Sequence, residues 1–174
     1  MKRLLTVALM SLLAAALIAP AAEAASKTLH YQDRGIEPGG EVLLDILWKN
    51  KKAHGPYTPR RLTLYHFELV AISCQMGGDR VMAAFGPTTS VKLTRGSFFH
   101  DFQEEGFTGS LSGELRLAAV RGNRRVDGSF EVVDADFPPD AMNCSTNGLR
   151  RYSATPCRTG TGTKLPPCRV GGGS

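Results

Sequence analysis

Beyond residue 24 the chain has no apolar run long enough to cross a membrane and no convincing helical period. Zinc-type signatures are missing. The four histidines, His30, His54, His66 and His100, lie far apart, in neither His-x-His nor His-Glu-x-x-His units. No two cysteines stand at Cys-x-x-Cys spacing, and no histidine stands beside them. Glycine patterns for phosphate loops and dinucleotides are absent. The serines of "GSLSG" are misplaced for a Gly-x-Ser-x-Gly elbow. The basic residues lack the interleaved aromatics on which single-strand nucleic-acid binders stack bases. No cofactor, metal or nucleic acid therefore leaves a recognisable signature.

What is present begins with an address. Lys2 and Arg3 precede the apolar run "LLTVALMSLLAAALIA", followed by Pro20 and the small-residue string "AAEAAS". A basic start, a short apolar segment and Ala22-Glu23-Ala24 predict a secretory signal peptide over 1–24, cut after Ala24. The segment is short for a membrane span of about 20 residues. The expected destination is secreted, periplasmic or cell-envelope.

Charge is unevenly placed. From Ala25 to Gly148 there are 14 Lys and Arg against 15 Asp and Glu. From Leu149 onward Arg150, Arg151, Arg158, Lys164 and Arg169 meet no acid. A near-neutral body with a basic end predicts at most weak contact of the tail with anionic envelope surfaces.

Alternation carries the fold reading. Val42, Leu44, Ile46 and Trp48 share one parity, a strand ended by "KNKK". The "AHGPYTPRR" stretch, with two prolines and a glycine, reads as a loop. In "RRLTLYHFELVAISC" Tyr65 and Phe67 share one parity with Leu69, but Val70, Ile72 and Cys74 take the other. Burial on both faces, or a bulge, explains the switch. "GFTGSLSGELRL" and "RVDGSFEVV" alternate cleanly around a Gly122-Asn123 hairpin turn. Their inward glycines leave room for a neighbouring aromatic ring or a bulge. Phe107, Leu111, Leu115, Phe130 and Val132 are expected to be buried together with Trp48. Shorter strand candidates are "TLHYQD", "RVMAAF", "TSVKL", "SFFHDF" and "LRRYSA". Short strands between glycine- and proline-rich turns predict one all-β domain over 25–154, a β-sandwich or small barrel of short antiparallel strands. Residues 155–174 read as an irregular, glycine- and proline-rich basic tail, whose removal is expected to leave the fold intact.

Four cysteines in an exported chain read as two disulfides. Cys74 and Cys144 both lie at predicted strand ends, which favours Cys74–Cys144 with Cys157–Cys168. The first bridge then ties distant strands, while the second closes a small loop with no core behind it.

The order "RRLTLYHFELVAISCQMGG", "GFTGSLSGEL" and "GSFEVVDADF…CSTNGLRRYSA" resembles small secreted bacterial β-domains of unassigned function. Those share a strand ending in Cys, an F-x-G-x-L strand, a G-x-F strand and a closing C-x-x-G-x-x-x-(W/Y)-x-A. Here Gly148 falls one residue late and Tyr152 takes the aromatic place. The resemblance spans about Gly40 to Ala154 and implies no catalytic residues.

Two clusters carry possible chemistry. Asp134, Asp136, Asp140 and Asn143, with Asp127 upstream, hold oxygen ligands of the kind calcium takes. The two prolines among them break the EF-hand order, so they read as a solvated acidic turn. Asn143-Cys144-Ser145 fits a glycosylation sequon, but its middle residue is an expected disulfide partner. His100-Asp101 could orient an imidazole for base catalysis, without a nucleophile placed by sequence. The favoured function is a non-catalytic exported module that binds or structures something in the envelope. The rival is a small secreted hydrolase, which a deep pocket gathering His100, Asp101 and a serine would favour.

Overall fold

The computed structural model describes residues 25–51, 55–85, 90–104, 107–117, 124–137, 141–159 and 165–168. The signal segment, His54, the Gly122-Asn123 turn, Asp140, Lys164 and Arg169 lie outside the described residues. The described residues form strands and no helix: β1 (Ser26–Asp33), β2 (Glu41–Asn50), β3 (Tyr57–Met76), β4 (Arg80–Phe85), β5 (Val91–Lys92), β6 (Ser97–Glu104), β7 (Phe107–Leu117), β8 (Arg124–Phe137), β9 (Ala141–Ser145) and β10 (Arg150–Cys157). Every ladder between them is antiparallel. The fold is all-β and sandwich-like. Pairings run β10-β1-β2-β3-β9-β8-β7-β6, with β4 and β5 against β3. A further β10–β8 pairing returns the path on itself.

Two irregular strands make that circuit possible. In β3, Leu69 takes φ 54° and is 56% exposed, and the register with β4 shifts between Phe67 and Val70. The inward set therefore passes from Tyr65 and Phe67 to Val70 and Ile72, all buried. A bulge, not burial on both faces, resolves the mixed parity. Gly40 (φ 135°) crosses close by, where an added Cβ would stand 2.9 Å from Val70 Cγ2. The "AHGPYTPRR" loop begins to pair earlier than expected. Tyr57, Thr58 and Pro59 already pair with β2, beside a register shift at Leu47/Trp48. Proline is tolerated there because a bulge asks for no ladder N–H.

The second irregularity joins β9 to β10. Asn147 (φ 53°) and Gly148 (φ 107°) turn the chain, and Thr146 between the strands is fully buried. Thr146 N donates to Val132 O at 3.0 Å, and Val132 N donates to Thr146 Oγ1 at 3.1 Å. The hydroxyl then donates to Gly148 O at 2.7 Å. A threonine side chain thus stands in for backbone where the ladder breaks, so β8 keeps its partners through the turn. β9 sends its ladder to β3 and β8; β10 sends its own to β8 and then β1.

The strand β10 runs three residues past Ala154. Thr155, Pro156 and Cys157 pair with Gln32, Tyr31 and His30 of β1. The body therefore extends to Cys157, and cutting after Ala154 would remove the only described ladder between β10 and β1.

The core holds Leu111, Phe130, Val132 and Trp48 as the alternation predicts, whereas Phe107 and Leu115 are only partly buried against it. Phe67 and Phe130 stack with centroids 4.2 Å apart, which joins the face of β3 to that of β8. The inward glycines lie beneath aromatic rings. A Cβ on Gly109 would fall 2.5 Å from Phe102, and one on Gly113 would fall 2.5 Å from Phe98. One on Gly128 would fall 2.5 Å from Tyr152 Cζ and would also strike Ser112 O. Tyr152 itself is buried and donates its phenol to Ser112 O at 2.7 Å. Burial, followed by the nearby Asp127 charge, holds that phenol above its ordinary range, so it remains a donor.

Gly128→Ala is expected to lower stability by about 3 kcal/mol, because backbone and ring both obstruct the methyl. Gly35→Ala, whose Cβ would meet only Asp33 Oδ1 at 3.6 Å, should change it by less than about 0.5 kcal/mol. Urea unfolding of the two variants decides this, and equal midpoints would refute the packing account. Thr146→Val should cost about 1–3 kcal/mol by leaving the Val132 N–H without an acceptor. Thr146→Ser, which keeps the hydroxyl, should recover most of that loss in the same measurement.

Candidate functional site

Both disulfides form as the strand ends suggest. Cys74 and Cys144 are direct partners in the β3–β9 ladder, with Cα atoms 3.9 Å apart. Cys157–Cys168 closes the smaller loop. That loop has more behind it than the sequence implies, since Cys157 is 5% exposed and faces His30 across the β1–β10 ladder. Arg158 N donates to Pro166 O at 2.9 Å and Cys168 N to Arg158 O at 2.8 Å, which braces the loop.

The acidic cluster does not converge. Asp127 is engaged by Arg125 Nε at 2.9 Å and by Ser153 Oγ at 2.6 Å. Asp136 accepts from the Asn143 backbone at 2.9 Å, and Asp134 is exposed. Among the described residues no group of three His, Cys, Asp or Glu side chains could hold a metal ion. His100 sits on β6 with its ring against Tyr65 at 5.7 Å, and Asp101 is exposed.

A different imidazole finds partners. His30 Nδ1 lies 2.6 Å from Asp45 Oδ1, its cross-strand neighbour, and His30 Nε2 lies 3.3 Å from Thr159 Oγ1. A hydroxyl, imidazole and carboxylate in that order invite comparison with a nucleophilic triad. The surroundings oppose it. Thr159 borders a cavity of only about 40 Å³ that it shares with Glu41, Glu68 and His66. Two carboxylates there would repel a developing oxyanion rather than stabilise it. Burial holds the His66 imidazole below its ordinary range, against the raising pull of Glu68 and Glu41. Glu41 is further engaged by Arg34 Nε at 2.9 Å and Gln32 Nε2 at 3.1 Å. The array is best read as a clasp that holds the disulfide loop on the outer face of β1 and β2.

The roomier site lies at the end of the core where β1, β3 and β8 begin and β2 ends. An open cleft of about 500 Å³ is lined by Lys27, Leu29, Tyr31, Trp48, Tyr57, Arg124, Pro156 and Leu165. Its volume falls in the range of small-molecule sites. Lys27, Leu29 and Tyr31 reach it from the inward parity of β1, opposite Trp48, Ile46 and Leu44 of β2. Lys27 Nζ stands 4.4 Å over the Tyr57 ring, and the Arg124 guanidinium stands 5.1 Å over Trp48. None of the described lining residues is acidic.

The floor holds buried polar atoms. Tyr31 Oη and Trp48 Nε1 have no well-formed hydrogen bond among the described residues. The indole N–H does lie close enough to favour the phenol oxygen, as does the Arg124 charge. Burial outweighs both and pushes the Tyr31 phenol up to about 12, so it stays a neutral donor. Sequence reasoning missed this cleft, because Trp48 reads simply as core. The signal available was Lys27, a cation on the apolar parity of β1.

No family model, curated protein or solved structure matches the chain. The cleft therefore rests on its own geometry.

Replacing Cys157 and Cys168 together by Ala should cost about 2.7 kcal/mol, for a sequence separation of 11. Replacing Cys74 and Cys144 should cost about 4 kcal/mol, for a separation of 70. Only the first pair should also speed amide exchange across the β1–β10 ladder, in residues 30–32 and 155–157, which hydrogen-exchange mass spectrometry reads directly. Unchanged exchange there would show that the loop is not part of the β1–β10 closure.

Proposed function

We propose that this all-β domain is an exported, non-catalytic binding module that takes a small ligand into the cleft over Trp48. The observation that carries the reading is a concave site with an aromatic floor and two cations at its rim that have no acid beside them among the described lining residues. The signal-like N-terminus and the resemblance to small secreted bacterial β-domains support export to the envelope or beyond it. Two bridged cysteine pairs accord with an oxidising compartment. Among the described residues no helix is long and apolar enough to cross a membrane. The expected weak attraction of the basic end to anionic surfaces is divided in space. Arg150 and Arg151 belong to β10, and only Arg158 of the described basic residues belongs to the loop.

The hydrolase reading has one specific point in its favour, the Thr159–His30–Asp45 array, and the acidic neighbours weigh against it. Both readings meet in one experiment. Trp48 is the only tryptophan, so its emission reports on the cleft alone. Titration with the neutral probe N-phenyl-1-naphthylamine should quench Trp48 emission in a saturable manner. Hydrolysis of p-nitrophenyl acetate should proceed no faster with the wild type than with His30→Ala. Absence of saturable quenching would remove the binding reading, and a His30-dependent esterase rate would replace it with the hydrolase.

A further inference from the structure

We infer that the cleft selects small monoanions with a flat apolar body, an aromatic carboxylate being the type, with Lys27 and Arg124 holding the head and Tyr57 and Leu165 the body. This rests on the binding reading above and adds the sign and shape of the ligand.

Charge decides the sign. Lys27 and Arg124 are the charged groups among the described lining residues, and both are cations without a carboxylate partner in the cleft. Nearby on β7 and β8, by contrast, Arg125 is spent on Asp127 and Arg116 on Glu114. Here the two cations rest over aromatic rings, an attraction that is weak at exposed sites and readily exchanged for a carboxylate. A cationic head would meet two like charges.

Shape follows from the walls. Tyr57, half-buried, offers ring surface beside the nearly buried Trp48, and Leu165 gives an aliphatic side on the disulfide-closed loop. A planar apolar body of one or two fused rings fits within about 500 Å³.

Three probes of one body test this: 2-naphthoate, 2-naphthalenemethanol and 2-naphthylmethylammonium, each titrated by calorimetry with Trp48 quenching as the locator. Naphthoate should bind about tenfold or more tightly than the alcohol, and the ammonium should bind weakest. Raising NaCl from about 0.05 M to about 0.5 M should erode the naphthoate advantage and leave the alcohol unchanged. Lys27→Met with Arg124→Met should abolish the advantage while keeping alcohol binding. Both side chains are exposed, so the variant should retain its strand circular dichroism. The salt titration tests the same claim on the unaltered protein. Equal affinities for naphthoate and the alcohol would overturn the inference and leave a neutral-ligand module standing. Failure of all three to quench Trp48 would overturn the inference and the binding reading together.

Discussion

Four strands depend on one row of residues: Phe98 on β6, Gly113 on β7, Gly128 on β8 and Tyr152 on β10, each paired with the next. Two aromatic rings flank two glycines, and each ring lies where a Cβ would otherwise stand. The sheet loses two side chains and gains two buried rings, 4% exposed each, lying along its inner surface. That keeps the inner face low enough for Phe67 of β3 to reach Phe130 of β8 and stack on it. Gly109 repeats the device under Phe102, whose ring then meets Tyr65 of β3 at 5.8 Å. Glycine weakens a strand through backbone entropy, and here the bound ring offsets that cost. Tyr152 goes further by donating to Ser112 O, so the ring also fixes its own height above the sheet.

This packing requires that β10 lie beside β8, while the cysteine of β9 must lie beside β3. One continuous strand cannot satisfy both, so the chain breaks at Thr146 and restarts. The break costs backbone pairing, which the Thr146 hydroxyl returns by serving Val132 and Gly148. The same logic governs β3, which serves β2 at its start and β9 at its end. Leu69 is its turning point, held in a conformation that leucine rarely adopts. The neighbouring glycine, Gly40, is the residue that lets a second backbone pass against the bulge. Strain at Leu69 is thus located where two faces of the fold must be served by one strand.

Period-two alternation made β2, β7 and most of β8 legible, because Val42 to Trp48, Gly109 to Leu115 and Val126 to Val132 each keep one parity inward, and β8 changes parity only beyond Val132. The inward parity of Gly109, Gly113 and Gly128 was equally legible, and it implied covering rings without naming them. Phe98 and Tyr152 could not be assigned, since cross-strand neighbours depend on a register that sequence leaves open. The short strand β9 was hidden among turn-forming residues, Asp, Pro and Asn, whose local preferences are overridden by pairing on both edges. Proline-rich residues around Tyr57 misled because pairing with β2 likewise overrides their local preference. The cleft was the least legible feature, since six separate segments supply its described lining and only Lys27 breaks a pattern. A site built from the ends of strands has no spacing of its own.

The two disulfides divide the labour between stability and shape. Cys74–Cys144 crosses paired strands far apart in sequence and so removes the larger share of unfolded-state freedom. It lies near the end of β3, whereas Tyr57, at the start of that strand, lines the cleft. Cys157–Cys168 spans little sequence and contributes less by the same entropy. Its position gives it another consequence. Pro156, the residue before one cysteine, and Leu165, three before the other, form the cleft wall on that side. Both depend on the loop braced by Arg158 and clasped through Thr159 and His30. A tail able to swing free would leave Leu165 nowhere in particular and open the cleft along that side. Bridging it instead presents a fixed aliphatic wall before a ligand arrives, which lowers the ordering cost of binding.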